Sequence, residues 1–547
     1  MKGRIYLVLF SAITAIAGCV SGDKDVPAVF RYNESKGIPT LDPAFAKSQY
    51  TIWPVNQLFN GLVQMDNDLL IIPSISHSWV ISDDGLAYTF HLRGDVYFHD
   101  SEVFPGGKGR KVKSSDFVYS LNRIRDQSTA SPGSWVMNWV INETSDGLPG
   151  IQGINDSTLI IRLNKPFPAF PGLLSMQYCS VIPFEAVDKY GQDFGRHPVG
   201  TGPFMLKYWK NGEKLILSRN PYYFEKDEDG ACLPYLDGVS ISFVVDKQSE
   251  FLEFLKGNID FLSGVHPSYK DELLTRSGQL NPFYNDRFEM YSQPYLNTEY
   301  LGFLIKHTGF DPLKEPLQKK EVRQAINYGF DRNRMIKYLR NGMGTPANMG
   351  FVPMGLPGFS EGLEGYYYDP DKTRELLNKA GYPGGEGLPE ITLTTTSDYL
   401  DLCEFIQAQL AESGIRIKLE MSTGATFRSM VADSKLDFFR GSWIADYPDA
   451  ENYFALFYSP NFSPKGPNYT HFKSDYFDEL YERALTTTDN KTRYELYRLM
   501  DSVIIEEAPV VPLFYDRVVR FYSTDLDGME GNAMNLLTLK RVRRVRD

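Results

Sequence analysis

Apolar residues recur every three or four positions in four segments of the chain, which predicts four amphipathic helices. The third helix has Asp369 as its N-cap and Pro370 at its first position, and Gly381 ends it. The fourth stops before Pro509, because proline cannot continue a helix. The four predicted helices begin near Ser114, Glu321, Pro370 and Tyr494.

Between these segments, apolar and polar residues alternate with the period of two that is typical of half-buried strands. The clearest cases are residues 86–92, 158–163, 215–218, 239–245, 391–395, 415–419 and 510–515. Strands and helices are interspersed, and no fixed-period repeat is present. The chain of 547 residues is therefore predicted to be a mixed α/β protein, with about three domains at roughly 150 residues per domain.

One segment combines apolar, aromatic and charged residues in an unusual way. Leu436 to Phe454 places Arg440 inside an aromatic run that predicts a buried strand, and Asp446 follows six residues later. A buried guanidinium or carboxylate is costly unless an opposite charge meets it. Two interpretations are open: the pair binds the two ends of a zwitterion such as a short peptide, or it is a structural ion pair.

The N-terminus has the pattern of a secretory signal. Lys2 and Arg4 precede an apolar segment, residues 5–17, that is too short for the roughly 20 residues of a membrane-spanning helix. Small residues then precede Cys19, as in a bacterial lipobox. We expect residues 1–18 to be a signal peptide and residues 19–27 to be a lipid anchor on Cys19 with a short leash. An ordinary signal peptide with an incidental cysteine is the alternative.

Charge and cysteine usage exclude several classes of protein. The formal charge is −12 with both signs mixed along the chain, so no nucleic-acid surface is predicted. Cys179, Cys232 and Cys403 allow at most one disulfide. His91 and His99 are interpreted as surface histidines, and no metal motif, nucleophile elbow or catalytic Cys/His set is present. No metal or cofactor is expected.

Several motifs occur in the order that is typical of one family. They are Thr40-Leu41-Asp42-Pro43, the run from Asp84 to Arg93, Gly200-Thr201-Gly202-Pro203-Phe204, Pro234-Tyr235-Leu236-Asp237-Gly238, Tyr368-Asp369-Pro370 and the run from Trp443 to Pro448. From about Arg31 to Tyr515, the chain resembles the extracytoplasmic solute-binding proteins of peptide ABC importers, the oligopeptide/dipeptide-binding proteins of family 5. Most of these motifs alone are structural turns or strands, and their shared order carries the resemblance.

The resemblance implies a bilobal periplasmic-binding-protein fold of type II, cluster C, with an extra inserted domain. Two chain crossings near Asn297 and Tyr515 would join the lobes, and hinge closure around a ligand is the expected motion. The implied division is lobe I at residues 28–50, 188–296 and 515–547, the inserted domain II at 51–187, and lobe II at 297–514.

The resemblance also implies a ligand site between the lobes. In the family, the aspartate that matches Asp446 holds the ligand's α-ammonium group, and the arginine that matches Arg440 serves the carboxylates of peptides of particular length. Extended segments that match residues 36–39 and 441–443 pair with the ligand backbone. The further positions that we expect to contact ligand are Trp443, Tyr295, Trp135, Gly441, Arg340 and Tyr515.

Some positions depart from the family pattern. Gly37 stands in place of an acidic residue, Leu400 in place of a histidine and Gly133 in place of a tyrosine. Asn297 and Ile444 replace a cysteine pair, so that bridge is absent. Ligand length and class therefore stay open, since relatives also bind nickel complexes, haem or sugars.

The sequence favours a monomeric, lipid-anchored receptor that captures short peptides and delivers them to an ABC permease in the cytoplasmic membrane. It would lie in the cell envelope and face the periplasm or the cell exterior. The alternatives are the same fold with a nickel chelate, haem or oligosaccharide as ligand, and a secreted hydrolase with paired carboxylates. We expect no enzymatic activity.

Overall fold

The computed structural model describes residues 27–266, 268–311 and 313–545. The predicted signal peptide and Cys19 lie outside these residues. The strands are β1 Val29–Asn33, β2 Val63–Met65, β3 Ile71–Pro73, β4 Ser76–Ile81, β5 Ala87–Leu92, β6 Ile151–Asn155, β7 Thr158–Arg162, β8 Phe204–Lys210, β9 Lys214–Arg219, β10 Gly238–Ser242, β11 Phe261–Ser263, β12 Phe288–Phe303, β13 Thr345–Pro346, β14 Ile391–Thr395, β15 Ile417–Met421, β16 Phe438–Ile444, β17 Val510–Ser523, β18 Leu526–Asp527 and β19 Arg543–Arg544.

The α-helices alternate with these strands, as the sequence predicts. They are α1 Gln49–Leu58, α2 Ser114–Arg125, α3 Phe170–Leu174, α4 Phe184–Tyr190, α5 Lys247–Leu255, α6 Lys270–Leu273, α7 Lys320–Tyr328, α8 Arg332–Leu339, α9 Pro370–Lys379, α10 Leu400–Glu412, α11 Gly424–Ala432, α12 Glu451–Phe454, α13 Asp475–Thr486 and α14 Asn490–Glu507.

One large mixed sheet organises the molecule. Its order is β15-β14-β16-β12-β17-β11-β1-β10-β9-β8, with β13 paired to β17. The pairs β14–β15 and β1–β10 are parallel, whereas β12 pairs antiparallel with both of its neighbours. A separate antiparallel sheet, β4-β5-β7-β6, lies in the region predicted as the inserted domain, with β5 alternating between buried and half-buried residues.

The long strands β12 and β17 join the two halves of the large sheet. The C-terminal half of β12 pairs with β16, and the C-terminal half of β17 pairs with β11. Their mutual register shifts between Pro294 and Thr298, beside Tyr515, where the sequence predicts the crossings. Two strands shared by two half-sheets are the arrangement that a bilobal fold requires. The residue boundaries of the lobes and of the inserted domain stay predictions.

The four predicted helices are confirmed, and two of them begin with different kinds of cap. Asp369 accepts a hydrogen bond from the Lys372 amide at 2.8 Å, as a predicted N-cap should. At the start of α2, however, the Ser114 hydroxyl donates to the Asn155 carbonyl. The Asp116 carboxylate instead accepts the Lys113 amide at 2.8 Å, so a carboxylate reaching back stabilises this helix start.

The predicted strands are also present, but β17 extends well beyond residues 510–515 and the 16-residue β12 was not predicted. The first half of β12 has mostly half-buried residues and its second half is fully buried. A strand that changes its environment midway has no single alternation of polar and apolar residues, so the period-two pattern does not identify it.

His99 is not a surface residue, which corrects the sequence-based interpretation. It is 4 % exposed, and its Nε2 lies 3.0 Å from the Gly202 carbonyl oxygen. The Gly200 amide donates to Nδ1 at 3.3 Å. Burial lowers the pKa of His99 to about 4, so the neutral ring fastens the turn at residues 200–202.

Two further expectations concern disulfide bonds and membrane-spanning helices. Cys179 and Cys403 are buried free thiols and Cys232 is an exposed one, so no disulfide joins them. Within the described part of the chain, no helix combines the length and apolar character needed to cross a membrane.

Candidate ligand-binding site

Asp446 lies just after β16 and is the predicted site residue with the most unusual environment. Its side chain is exposed to solvent, yet protein surrounds it closely enough that burial raises its pKa to about 6. The two observations agree if the carboxylate faces a narrow cleft. A hydrogen bond from Asn452 acts in the opposite direction and lowers the pKa. Among the described residues, no basic side chain contributes to its electrostatic environment.

Aromatic residues from a distant part of the chain lie near Asp446. The Trp135 ring lies 6.4 Å from the Tyr447 ring, centroid to centroid. Tyr178 is close enough to Asp446 for the carboxylate to raise the pKa of its hydroxyl. Glycine is required at position 133, because a Cβ there would lie 2.4 Å from the Tyr178 ring. The residue that the family pattern has as tyrosine is therefore excluded here, and Tyr178 occupies the space.

A buried polar network anchors the loop that follows Asp446. The hydroxyl groups of Tyr447 and Tyr481 both donate to the Glu451 carboxylate. Asp449 forms an ion pair with Arg493 at 3.1 Å, and both side chains are less than 9 % exposed. These charges are satisfied within the protein, so they fix the loop and leave Asp446 as the carboxylate that points outward.

Arg440 does not pair with Asp446, and it already has a protein partner. Its guanidinium forms an ion pair with Glu299 on the neighbouring strand β12, where the two side chains are 14 % and 4 % exposed. The guanidinium carbon also lies 3.4 Å from the centroid of the Tyr399 ring. Ser442 donates to the same carboxylate at 3.0 Å. In this conformation Arg440 is a structural cation, which opposes its predicted role in binding a ligand carboxylate.

Arg340 is likewise neutralised. It forms an ion pair with Asp516 at 2.9 Å, and its guanidinium carbon lies 4.3 Å from the centroid of the Phe514 ring. Both charged residues line a cavity of about 600 Å³, together with Tyr399 and Arg517. A cavity of this volume is within the range of small-ligand sites.

The remaining predicted residues divide into lining and core. Trp443 is half-buried, and its Nε1 donates to Asn452 at 2.7 Å, so it supports the amide beside Asp446. Tyr295 is half-buried near Asp516 and Glu299, which together with burial raise the pKa of its hydroxyl.

Tyr515 is a core residue rather than a lining one. It is 2 % exposed, and its hydroxyl donates to the Gly350 carbonyl at 2.6 Å. The structure therefore gives it no surface for a ligand, contrary to the prediction. The physical reason is its place inside the large sheet: Thr298 of β12 and Thr345 of β13 pair with Tyr515 on the two edges of β17, and the Phe359 ring packs against it with centroids 6.3 Å apart.

Gly441 has a backbone role and a packing role. A Cβ at this position would lie 2.3 Å from the Tyr300 ring, so glycine is required for the close approach of β16 to β12. The pairing of β14 with β16 is limited to Thr394 and Phe439. Within the described residues, the edge of β16 after Phe439 therefore has no strand beside it, as backbone pairing with an extended ligand would need.

Sequence reasoning missed Glu299, Tyr399 and Arg517. Glu299 lies on β12, which no periodicity identified, so nothing indicated that it would face Arg440. Tyr399 precedes helix α10, and burial raises the pKa of its hydroxyl to about 12, with Glu299 adding to the shift. Only the tertiary fold brings these residues together.

Two further features of the described residues bear on ligand chemistry. No group of three or more His, Cys, Asp or Glu side chains in this part of the chain is arranged to hold a metal ion. Another cavity, of about 260 Å³, is lined by Asn56, Asn60, Gln64, Glu225 and Lys540 among others. None of the predicted site residues lines it.

Comparisons with known proteins fit this architecture. Residues 71–465 match the bacterial extracellular solute-binding proteins, family 5 middle. The chain is 27 % identical to the glutathione-binding protein GsiB of Shigella dysenteriae over 532 residues, which cover 96 % of each chain.

Solved structures agree with this result. The periplasmic binding protein DppA of Helicobacter pylori, in complex with the peptide STSA, is 26 % identical with a TM-score of 0.74, and the match covers 95 % of this chain and 98 % of that one. HbpA2 of Haemophilus parasuis has a TM-score of 0.80 at 22 % identity, over 95 % and 100 % of the two chains, and shows the fold alone. The chain therefore belongs to the family 5 extracellular solute-binding proteins and has their bilobal type II fold.

Proposed function

We propose that this protein is a receptor that binds short peptides through their free α-ammonium group at Asp446. The observation that carries the proposal is a carboxylate that faces a cleft, lies beside the aromatic residues Trp135 and Tyr178, and has no cationic partner among the described residues. A ligand ammonium group would supply the missing charge. A ligand without one would leave the carboxylate desolvated and unpaired, which is unfavourable.

The relatives support a peptide ligand. GsiB is named for glutathione, a tripeptide, and the DppA structure holds a four-residue peptide. The open edge of β16 after Phe439 suits the backbone of an extended peptide, and half-buried Trp443 and Tyr295 offer apolar surface that tolerates different side chains.

Binding without chemical change is the expected activity, with delivery of the peptide to an ABC permease. We further propose a lipid on Cys19 that keeps the receptor at the membrane surface, with the closed lobes signalling that the site is occupied. Metabolic labelling with a radioactive fatty acid should mark the wild-type protein and leave Cys19→Ser unlabelled; equal labelling of the two proteins would contradict the anchor.

Isothermal titration calorimetry tests the ligand assignment. The wild type should bind trialanine or glutathione, lose most of that affinity when the peptide is N-acetylated, and lose it equally in Asp446→Asn. Asp433→Asn is the matched control, because Asp433 is a surface carboxylate paired with Lys435 at 2.9 Å. Unchanged peptide affinity in Asp446→Asn would refute the assignment. A tightly bound non-peptide cargo, identified by native mass spectrometry of the purified protein, would refute the ligand class.

A further inference from the structure

The cavity of about 600 Å³ contains more charge than an apolar side-chain pocket needs. Its basic lining residues are His266, Lys270, Arg340 and Arg517, and its acidic lining residues are Asp398, Asp401 and Asp516. The numbers of each sign are similar, so the net charge of the cavity does not identify an anion site. The pairing of the individual groups is more informative.

Asp516 is paired within the protein through one of its two carboxylate oxygens. Its Oδ1 accepts a hydrogen bond from the Arg340 guanidinium at 2.9 Å and another from the backbone amide of Arg517 at 2.9 Å. Arg340 in turn donates through Nε to the Met343 carbonyl at 2.9 Å. The Arg340–Asp516 pair is therefore closed and leaves little free charge for a ligand.

Arg517 has a different environment. Its guanidinium donates through Nε to the Ser292 hydroxyl at 3.0 Å and through one terminal nitrogen to the Ser292 carbonyl at 3.2 Å. Both acceptors are neutral, and within the described residues no carboxylate forms an ion pair with this side chain. The other terminal nitrogen, Nη1, has no hydrogen-bond partner in the same part of the chain. Ser292 thus orients the guanidinium without neutralising it.

The position of Arg517 makes it accessible from two sides. The side chain is half-buried and lines both the 600 Å³ cavity and a neighbouring cavity of about 810 Å³. Strand register relates this region to Asp446: Arg517 pairs with Pro294 of β12, and two residues further along β12 the Leu296 carbonyl accepts a hydrogen bond from the Ala445 amide at 2.9 Å. Arg517 and Asp446 thus flank the same short stretch of β12, and their opposite charges match a ligand that carries opposite charges at its two ends.

We propose that Arg517 binds the carboxylate of the ligand, so that the receptor selects short peptides in which both termini are free. This inference rests on the proposed function. A planar guanidinium held by one neutral residue is suited to two parallel hydrogen bonds with a carboxylate. The role assigned by resemblance to Arg440 thereby passes to Arg517, because Glu299 already neutralises Arg440.

The experiment compares trialanine with its C-terminal amide by calorimetry, in the wild type, Arg517→Gln and Arg517→Lys. Arg334→Gln, a change at an exposed arginine of α8, is the control. In the wild type and the control, amidation should weaken binding about 10- to 100-fold, the effect of a hydrogen bond to a charged group. Arg517→Gln should weaken binding of the free acid by a similar factor and leave the affinity for the amide unchanged. The ratio of the affinities for the two peptides should then be close to 1. Arg517→Lys should restore part of the preference.

Two results would overturn the inference. If Arg517→Gln keeps the wild-type preference for the free acid over the amide, the ligand carboxylate binds elsewhere. An equal loss for both peptides means that Arg517 stabilises lobe closure, for instance by pairing with Asp398 or Asp401 across the cavity. Unchanged amide affinity in Arg517→Gln also shows that the variant is folded. Failure of the proposed function is distinguishable, because the wild type would then bind neither peptide.

Amidated Ala-Asp-Ala separates a terminal from a side-chain carboxylate. If Arg517 binds the C-terminal carboxylate, this peptide should bind like the trialanine amide in both the wild type and Arg517→Gln. A gain of affinity that disappears in Arg517→Gln would overturn the terminal assignment and make the side chain the source of the carboxylate.

Discussion

Arg440 and Glu299 form a buried ion pair across the adjacent strands β16 and β12, with the Tyr399 ring stacked on the guanidinium. The pair joins the central strand of the large sheet to the strand whose end carries Asp446. Arg440 therefore braces the segment that presents Asp446, and the two residues singled out by sequence have separate tasks.

Removal of the Glu299 carboxylate should destabilise the protein strongly, because it leaves a buried guanidinium unpaired. For Glu299→Ala we expect the free energy of unfolding to fall by about 3–5 kcal/mol. Chemical denaturation followed by tryptophan fluorescence measures it. The control is Glu420→Ala, which removes an ion pair with Lys418 whose side chains are 54 % and 50 % exposed, and should cost at most about 1 kcal/mol. Equal losses in the two variants would show that Arg440 does not depend on Glu299.

The position of the Arg440–Glu299 pair also shows which parts of the fold can be predicted from the sequence. Local signals located the elements well: α9 begins at its predicted cap, and β14 spans the predicted residues 391–395. Both elements have one environment along their length. The long strands β12 and β17 pass from one half-sheet to the other, and periodicity fails where the buried face changes.

The candidate site shows the same limit. Asp446 was identified because a lone carboxylate between aromatic residues is costly wherever it lies. The partner of Arg440 was not, because an ion pair depends on strand register, and Glu299 lies 141 residues from Arg440 in the chain. Arg517 had no sequence signal, since its distinctive property is the absence of an acidic partner in the described fold.

Peptide binding should weaken as the pH falls, because the ammonium group needs an ionised Asp446. The pKa of this carboxyl is raised to about 6 in the free protein. Affinity should be highest near pH 7, because a peptide α-ammonium group loses its proton at about pH 8, and it should drop roughly tenfold for each pH unit below 6, since protonation of Asp446 then competes with the ligand. Calorimetry from pH 5 to pH 8 measures the profile. Asp446→Asn, which cannot ionise, should bind weakly with a flat profile between pH 5 and pH 7; a wild-type profile that is flat over this range as well would exclude Asp446 as the titrating group.

Stability should respond to pH through His99. Its folded pKa lies near 4, below the usual value of 6.5, so the unfolded chain takes up a proton at a higher pH than the folded protein does. The contribution of the neutral ring is fully present above about pH 6.5 and is lost as the pH falls towards 4. Relative to His99→Gln, the wild type should lose up to about 3 kcal/mol over this window.

Thermal or urea unfolding at a series of pH values measures that difference directly. The comparison with His99→Gln removes the contributions of the other titrating groups, including Asp446 and Asp501, whose raised pKa values act in the opposite direction. His77→Gln is the control, because His77 is exposed at the surface. A stability difference that does not change with pH would mean that His99 is protonated equally in the folded and unfolded states.

Glycine at position 441 should be essential for packing between β16 and β12. In Gly441→Ala the new methyl group would lie 2.3–2.8 Å from ring atoms of Tyr300, which is 3 % exposed and stacks edge-on against Phe351 with ring centroids 5.2 Å apart. The ring has no free space to move into, so we expect a loss of about 1–3 kcal/mol in unfolding free energy. Gly424→Ala is the matched control, since its methyl group would meet only the end of Arg428 at 3.6 Å.

The double variant Gly441→Ala/Tyr300→Leu should be less destabilised than the sum of its single changes, because removal of the ring relieves the clash. Strict additivity would show that the two residues do not interact, and that Gly441 is required for another reason.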